Sequence, residues 1–243
     1  DRPPLDLAAL AAIAAGDDAP DGEGVPAARA ARRARGAYFT PPALARWLAD
    51  RVLTPLTAPT VLDPAAGDGR LLDAALDVLV AAQRPSSARA AARLRVTLTT
   101  EALFAIERDP VQARILRRRL PGLRVWTADA LLAPPRELPR VDAVIANPPF
   151  ARAGAVRARD GAAWAGLRGR FAATSHGEWD LSAAFLEACL GWLAPGGRAG
   201  VILPSRWLTA RAAAPLRALL AARHAVAVGA RIATEVYAVA PAN

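Results

Sequence analysis

The 243-residue chain has no methionine, one cysteine, two histidines and few aromatics, 5% of its residues. It also has no lysine, so every basic residue is arginine. Each shortage excludes something. A lone cysteine, Cys189, cannot build a disulfide framework or a multi-cysteine metal centre. His176 and His224 stand far apart and leave little for zinc, so no metal site is expected. No apolar run reaches membrane-spanning length, because Arg or Asp interrupts each one well short of that. The beginning of the chain is acidic and lacks the charged start of a secretory leader. These shortages together predict a reducing, cytoplasmic setting. The missing initiator Met reads as a trimmed or fragmentary chain.

What is present is apolar content of 53%, dominated by Ala, and 31 Arg against 22 acids, a net charge of +9. That rules out disorder throughout and gives enough chain for one large α/β domain or two small ones. The charge has two readings. A coding bias toward GC-rich codons would replace Lys by Arg everywhere. A polyanion partner would concentrate the charge in patches. The distribution is patchy. Residues 1–24 are acidic, net −5, while Arg29, Arg32, Arg33 and Arg35 follow closely. Arg152, Arg157, Arg159, Arg168 and Arg170 crowd into 152–170 with Asp160 as the only acid there. This patchiness favours nucleic acid over bias alone.

Along the chain, residues 3–15 read as a short Ala-rich helix and 16–26 as a linker. A basic segment then leads to GAYFTPP, residues 36–42, with Thr40 expected as a helix N-cap and Pro41 as the first helical residue. The division expected is an N-terminal arm, 1–35, and one catalytic domain, 36–243. From Leu53 onward apolar strands and helices alternate. Strands are expected in 60–70, ending in a Gly-rich turn, 103–110, 123–131, 141–150, ending in a Pro-Pro turn, 198–208 and 224–232, with 151–178 irregular and the residues after 232 trailing off. This order predicts a mostly parallel sheet covered by helices on both faces, with ligands at the carboxyl ends of the strands.

Asp63-Pro64-Ala65-Ala66-Gly67-Asp68-Gly69 sits at one such end. A Gly-x-Gly is also an ordinary tight turn, and neither a dinucleotide fingerprint nor a phosphate-binding loop is present. Small residues there let a ligand approach the backbone closely. Glu107, at the end of the next strand, is placed to accept from two ribose hydroxyls, and Asp129, one strand further, to meet an adenine amino group. The alternatives are an exposed pair of Glu107 with Arg108, and Asp129 as a cap on the turn after it. A Gly-rich turn followed by two acids suits an adenosine that carries no phosphates. At this point the chain resembles the S-adenosylmethionine-dependent methyltransferases with a Rossmann-like sheet. DPAAGDG, AIERDP and ADAL look like their first three motifs. The resemblance implies S-adenosyl-L-methionine as cofactor, held by Asp63, Pro64, Ala65, Gly67, Glu107, Arg108, Asp129 and Ala130.

Asn147-Pro148-Pro149-Phe150 ends the next apolar strand. Pro-Pro can simply stop a strand. The chemistry of an exocyclic amino group offers a sharper reading. Its lone pair is delocalised into the ring and must be localised and aimed. The Asn147 side-chain oxygen and the Pro148 carbonyl can accept its two N–H bonds, and Phe150 can stack on the base. Cys189 falls inside a predicted helix, which speaks against covalent methylation at carbon. The tetrapeptide resembles that of enzymes methylating amino nitrogens: DNA N6-adenine, RNA adenine or protein glutamine N5. GAYFTPP resembles the extra N-terminal motif of gamma-class adenine DNA methyltransferases of restriction–modification systems. That resemblance covers about 36–240 and implies that Thr40, Pro41 and Asn147 also contact the cofactor. It also implies that Tyr237, in a loop, is a second stacking aromatic, though plain packing would explain Tyr237 equally. Two departures are expected: the chain is read as ending before a last antiparallel strand and before a target-recognition region.

The segment 151–178 follows the tetrapeptide, and Arg152, Arg157 and Trp164 there could meet phosphates or wedge beside an extruded base. It could equally be an exposed insertion with biased composition. The expected partner is therefore DNA presenting a flipped adenine, with a recognition domain or subunit supplied in trans and no membrane. The expected place of action is the prokaryotic cytoplasm, at the nucleoid. The same chemistry on RNA or protein, or a non-catalytic binding subunit, remains as the alternative reading.

Overall fold

Apolar residues run through the strands without alternation, and the fold shows why: both faces of the sheet are covered. The computed structural model describes residues 40–175, 177–204, 206–224, 226–230 and 236–239. The expected N-terminal helix, linker and basic arm lie outside the described residues. Helix α1 (Pro42–Leu53) precedes β1 (Val61–Asp63), which leads into α2 (Arg70–Ala82) and α3 (Ala88–Glu101). Strand β2 (Leu103–Ile106), helix α4 (Pro110–Arg119), β3 (Arg124–Trp126) and β4 (Val141–Ala146) follow. Two short helices, α5 (Ala153–Arg159) and α6 (Gly161–Leu167), and a 3-10 turn (Ala172–Thr174) lead to α7 (Leu181–Trp192) and β5 (Leu193–Ile202). Helices α8 (Arg206–Thr209) and α9 (Ala214–Arg223) and strands β6 (Val226–Ala230) and β7 (Val236–Val239) complete the order.

The seven strands lie in the order β3-β2-β1-β4-β5-β7-β6. The pairs among the first five are parallel, and β7 is antiparallel to both β5 and β6. The mostly parallel Rossmann-like sheet is therefore as expected. One part of that expectation is overturned. The last antiparallel strand is present: Val236–Val239 pairs with β5 from Ile202↔Val236 to Ala199↔Val239. Its four residues are too few to show a periodic pattern, and only the two flanking strands, with edge hydrogen bonds to satisfy, define it. Tyr237 accordingly lies in a strand, opposite Val201, and not in a loop. Its side chain falls outside the described residues.

The core forms two clusters, one on each face. Leu62, Phe104, Ile106, Val144 and Ala146 pack toward α7 and α9, while Val61, Leu103, Ala105, Ala143 and Ile145 pack toward α1, α2 and α4. Alternate residues of one strand thus enter different clusters. Helix α1 lies directly on β5. A Cβ at Gly200 would come within 2.5 Å of Val52 Cγ2 and 2.8 Å of Leu48 Cδ1. At the amino ends, the Thr60 amide and hydroxyl both donate to Asp142 Oδ2, at 2.9 and 2.7 Å, and tie β1 to β4. Helix α3 went unread in the sequence, although Ser87 caps it by accepting from the Ala90 amide. Among the described residues no helix is long and apolar enough to cross a membrane.

Candidate active site

The parallel register brings the ends of β1, β2, β3 and β4 into one row, and the loops leaving them border a cavity of about 700 Å³. From the sequence candidates, Thr40, Asp63, Pro64, Ala65, Gly67, Glu107, Arg108, Asp129, Ala130, Asn147 and Pro149 line it. The lining also holds six carboxylates, Asp63, Asp68, Glu107, Asp109, Asp129 and Asp160, against three arginines, Arg70, Arg108 and Arg159. A net-acidic cavity therefore sits inside a strongly basic chain.

The loop after β1 is shaped by backbone bonds. Gly67 and Gly69 have φ of +53° and +83°, where glycine carries no steric cost. At Gly69 an added Cβ would also lie 2.5 Å from Leu116 Cδ1. The Ala66 amide donates to the Ile106 carbonyl at 3.1 Å, joining this loop to the end of β2. Glu107 completes the join. Its Oε2 accepts from the Gly67 amide at 2.8 Å and its Oε1 from the Asp109 amide at 2.7 Å. The carboxylate thus organises the Gly-rich loop as well as bordering the cavity. Burial raises its pKa above the ordinary value.

Asp63 is 1% exposed and accepts from the Ala65 amide at 3.0 Å. Burial, with the neighbouring negative charges of Glu107 and Asp68, pushes its pKa up to about 8. Asp129 does two things at once. Its Oδ1 accepts from the Leu131 and Leu132 amides at 2.9 Å each, and its Oδ2 lies 3.4 Å from Arg108 Nη1. Capping and cavity lining, set against each other in the sequence, thus coexist. Arg108 pairs with Asp129 and also reaches Asp160 at 3.7 Å, and Glu107 is not its ion-pair partner.

Helix α1 begins one residue later than expected. Pro41 occupies the cap position and Pro42 the first helical one, with no side-chain cap bond. Thr40 is consequently not the N-cap. It is 6% exposed, and its hydroxyl accepts from Asn147 Nδ2 at 3.0 Å. The Thr-Pro turn and the tetrapeptide, 107 residues apart, are therefore in direct contact. Pro148 is buried, and Phe150 packs against the core cluster under α1 without lining the cavity.

The segment after the tetrapeptide is ordered as helices, which corrects the irregular reading. Its base is closed by a bridge in which the Ala153 amide donates to the Trp179 carbonyl and the Leu181 amide to the Ala151 carbonyl, at 2.8 Å each. Between these points, Asp160 caps α6 by accepting from the Ala163 amide at 2.8 Å. Val156, Arg159, Asp160, Ala163 and Leu167 roof the cavity, and Phe185 of α7 reaches it from behind. No sequence signal beyond helical spacing marks these roof residues. Trp164 packs on the core, and the guanidiniums of Arg157 and Arg168 each lie over its ring at 5.2 Å. Arg152 and Arg157 are exposed, and none of Arg152, Arg157 and Trp164 lines the cavity. Cys189 is buried within α7, and burial, with the charge of Asp63, raises its thiol above the ordinary value. Among the described residues no cluster of potential metal ligands occurs.

Comparison with known proteins identifies relatives of this chain. A family model described as N-6 DNA Methylase matches residues 26–238. A stretch of 100 residues is 41% identical to the type II methyltransferase M.XhoI of Xanthomonas vasicola, covering 40% of this chain and 17% of the relative. Among solved structures, one from Vibrio vulnificus, described as a modification subunit of a type I restriction enzyme, superposes with a TM-score of 0.57. It is 21% identical, and the match covers 88% of this chain and 46% of the subunit. A Listeria monocytogenes protein described as a class I S-adenosylmethionine-dependent methyltransferase gives 0.54 at 12% identity, over 83% of this chain and 59% of its own. At these identities the solved structures speak for the fold. The chain spans less than half the length of both the Xanthomonas and the Vibrio relatives.

Proposed function

The chain belongs to the N-6 DNA methylase family, and from that premise we propose that it transfers a methyl group from S-adenosyl-L-methionine to the N6 amino group of adenine in DNA. The observation that carries this reading is the placement of Asn147 and its Pro-Pro turn at the rim of an acidic cavity, held by Thr40. We place the activity in a restriction–modification or related system, acting on chromosomal DNA in the cytoplasm. The type II methyltransferase among the relatives supports that setting.

The donor set fits the cofactor. Its sulfonium and ammonium groups are cationic and it has no phosphate, so five carboxylates besides the protonated Asp63, against three guanidiniums, favour it over a nucleotide polyphosphate. Glu107 would hold the ribose, Asp129 and Ala130 would border the adenine, and Asp63 to Gly67 would flank the methionine end. Bound there, S-adenosyl-L-methionine supplies a methyl group on a positively charged sulfur, ready for direct displacement.

The chain's own residues supply position. The Asn147 side-chain oxygen and the Pro148 carbonyl accept the two N–H bonds of the target amino group. This draws electron density onto the nitrogen and fixes its line of approach. The rigid Pro-Pro turn keeps the carbonyl in place. No covalent nucleophile takes part. Phe150 and Tyr237 would face the flipped base, and Arg152, Arg157 and the Arg-covered Trp164 would lie along the phosphate backbone. A recognition module supplied in trans would select the sequence.

The test is transfer of labelled methyl to duplex DNA, RNA and protein side by side, with a digest that locates N6-methyladenine. The expected outcome is label in DNA, abolished by Asn147→Ala with cofactor affinity preserved. Label only in RNA or protein, or full activity in the variant, overturns the reading.

A further inference from the structure

We propose that Thr40 is a positioning residue for the methyl acceptor, its hydroxyl anchoring the Asn147 amide in the place where the target amino group would meet it. The inference rests on the reading above and gives a chemical role to the Thr40–Asn147 contact, for a residue that the sequence resemblance places only beside the cofactor. Its basis is the 3.0 Å bond in which Asn147 Nδ2 donates to Thr40 Oγ1. Both residues line the same cavity, and Thr40 is 6% exposed, so water does not compete freely for its hydroxyl.

An asparagine amide has chemically opposite ends, an NH2 with two donors and an oxygen with two lone pairs. The proposed chemistry needs the oxygen, because the target is itself an NH2 group. Rotation of the amide by half a turn would set donor against donor and cancel the polarisation. In the arrangement seen, Nδ2 faces Thr40, and this bond holds the amide in place before the acceptor arrives.

The anchor is itself fixed. Thr40 stands directly before Pro41 and Pro42, whose rings restrict the backbone entering α1. Helix α1 is pressed onto β5 where Gly200 leaves no room for a side chain, with Leu48 and Val52 against the strand. The N-terminal motif thereby acts on the acceptor side of the reaction through α1.

The test compares Thr40→Val, which keeps the shape and removes the hydroxyl, with Thr40→Ser, which keeps the hydroxyl. With saturating S-adenosyl-L-methionine and duplex DNA, kcat of Thr40→Val is expected to fall about 10- to 100-fold. Its cofactor Kd should stay within about 2-fold, and Thr40→Ser should recover most of kcat. Unfolding midpoints of the three proteins check that the fold is intact. A second readout needs no activity: the side-chain amide resonances of Asn147, identified by their loss in Asn147→Ala. They should shift and exchange faster with water in Thr40→Val and stay near their wild-type positions in Thr40→Ser.

Unchanged kcat in Thr40→Val overturns the proposal. So does a loss explained entirely by weaker cofactor binding, a loss that Thr40→Ser does not repair, or amide resonances that do not move. If the wild-type chain methylates no DNA, it is the functional reading that fails, and the resonances still decide whether Thr40 orients Asn147.

Discussion

Replacing Asp63 by asparagine should change how stability depends on pH, and the structure sets the size of the change. Asp63 has an ordinary value of 3.8, and burial beside Glu107 and Asp68 raises it to about 8 in the fold. Between those pH values the folded chain keeps a proton that the unfolded chain has lost. By linkage, the stabilisation associated with this group is fully present below about pH 4 and declines as pH rises toward about 8. One proton corresponds to about 1.4 kcal/mol per pH unit, so from pH 5 to pH 7 the wild type should lose about 2.7 kcal/mol relative to Asp63→Asn. The assay is urea unfolding followed by circular dichroism at pH 5, 6 and 7 for both proteins. Titrating groups distant from Asp63 are common to both and cancel in the difference; Glu107, which is coupled to Asp63, adds a smaller change of its own. The same proton has a second consequence. A cationic ligand in the cavity draws Asp63 into its charged form. S-Adenosyl-L-methionine should therefore bind the wild type more tightly as pH rises toward 8, with proton uptake by buffer near pH 7. Asp63→Asn should lose that proton release. Parallel stability curves for the two proteins would refute the reasoning, because they would mean that Asp63 does not hold a proton in the folded chain.

Gly200→Ala would drive a methyl group to within 2.5 Å of Val52 and 2.8 Å of Leu48 and should destabilise the fold by about 1–3 kcal/mol in chemical denaturation. It should also lower activity, since α1 carries Thr40. Arg157→Ala and Arg168→Ala each remove a guanidinium from over Trp164. If these arginines neutralise phosphates, each change should reduce the slope of log affinity for DNA against log salt by about 0.9, with little effect on cofactor binding. An unaltered slope would assign both arginines to holding the roof of the cavity.

Pattern and composition were enough to read the sheet and most of the candidate site. Apolar strands alternating with helices leave few arrangements besides a parallel sheet with both faces covered, and that sheet puts the Gly-rich turn, Glu107, Asp129 and Asn147 at one edge. These residues sit at strand ends, where local pattern and chemistry coincide. What depended on contacts between distant segments was not legible. The last antiparallel strand, Val236–Val239, has too few residues for a period and exists because β5 and β6 flank it. Helices α5 and α6 are short and Ala-rich, so their role as a roof follows only from the bridge that closes their base beneath Trp179. Thr40 has the composition of a helix cap, and local chemistry alone gives it that role. Only tertiary structure, by pressing α1 onto Gly200 and bringing Thr40 to Asn147, turned its hydroxyl to that side chain in the cavity lining. Hydrogen-bonding capacity belongs to the residue type, but which partner satisfies it is decided by what the fold brings within 3 Å.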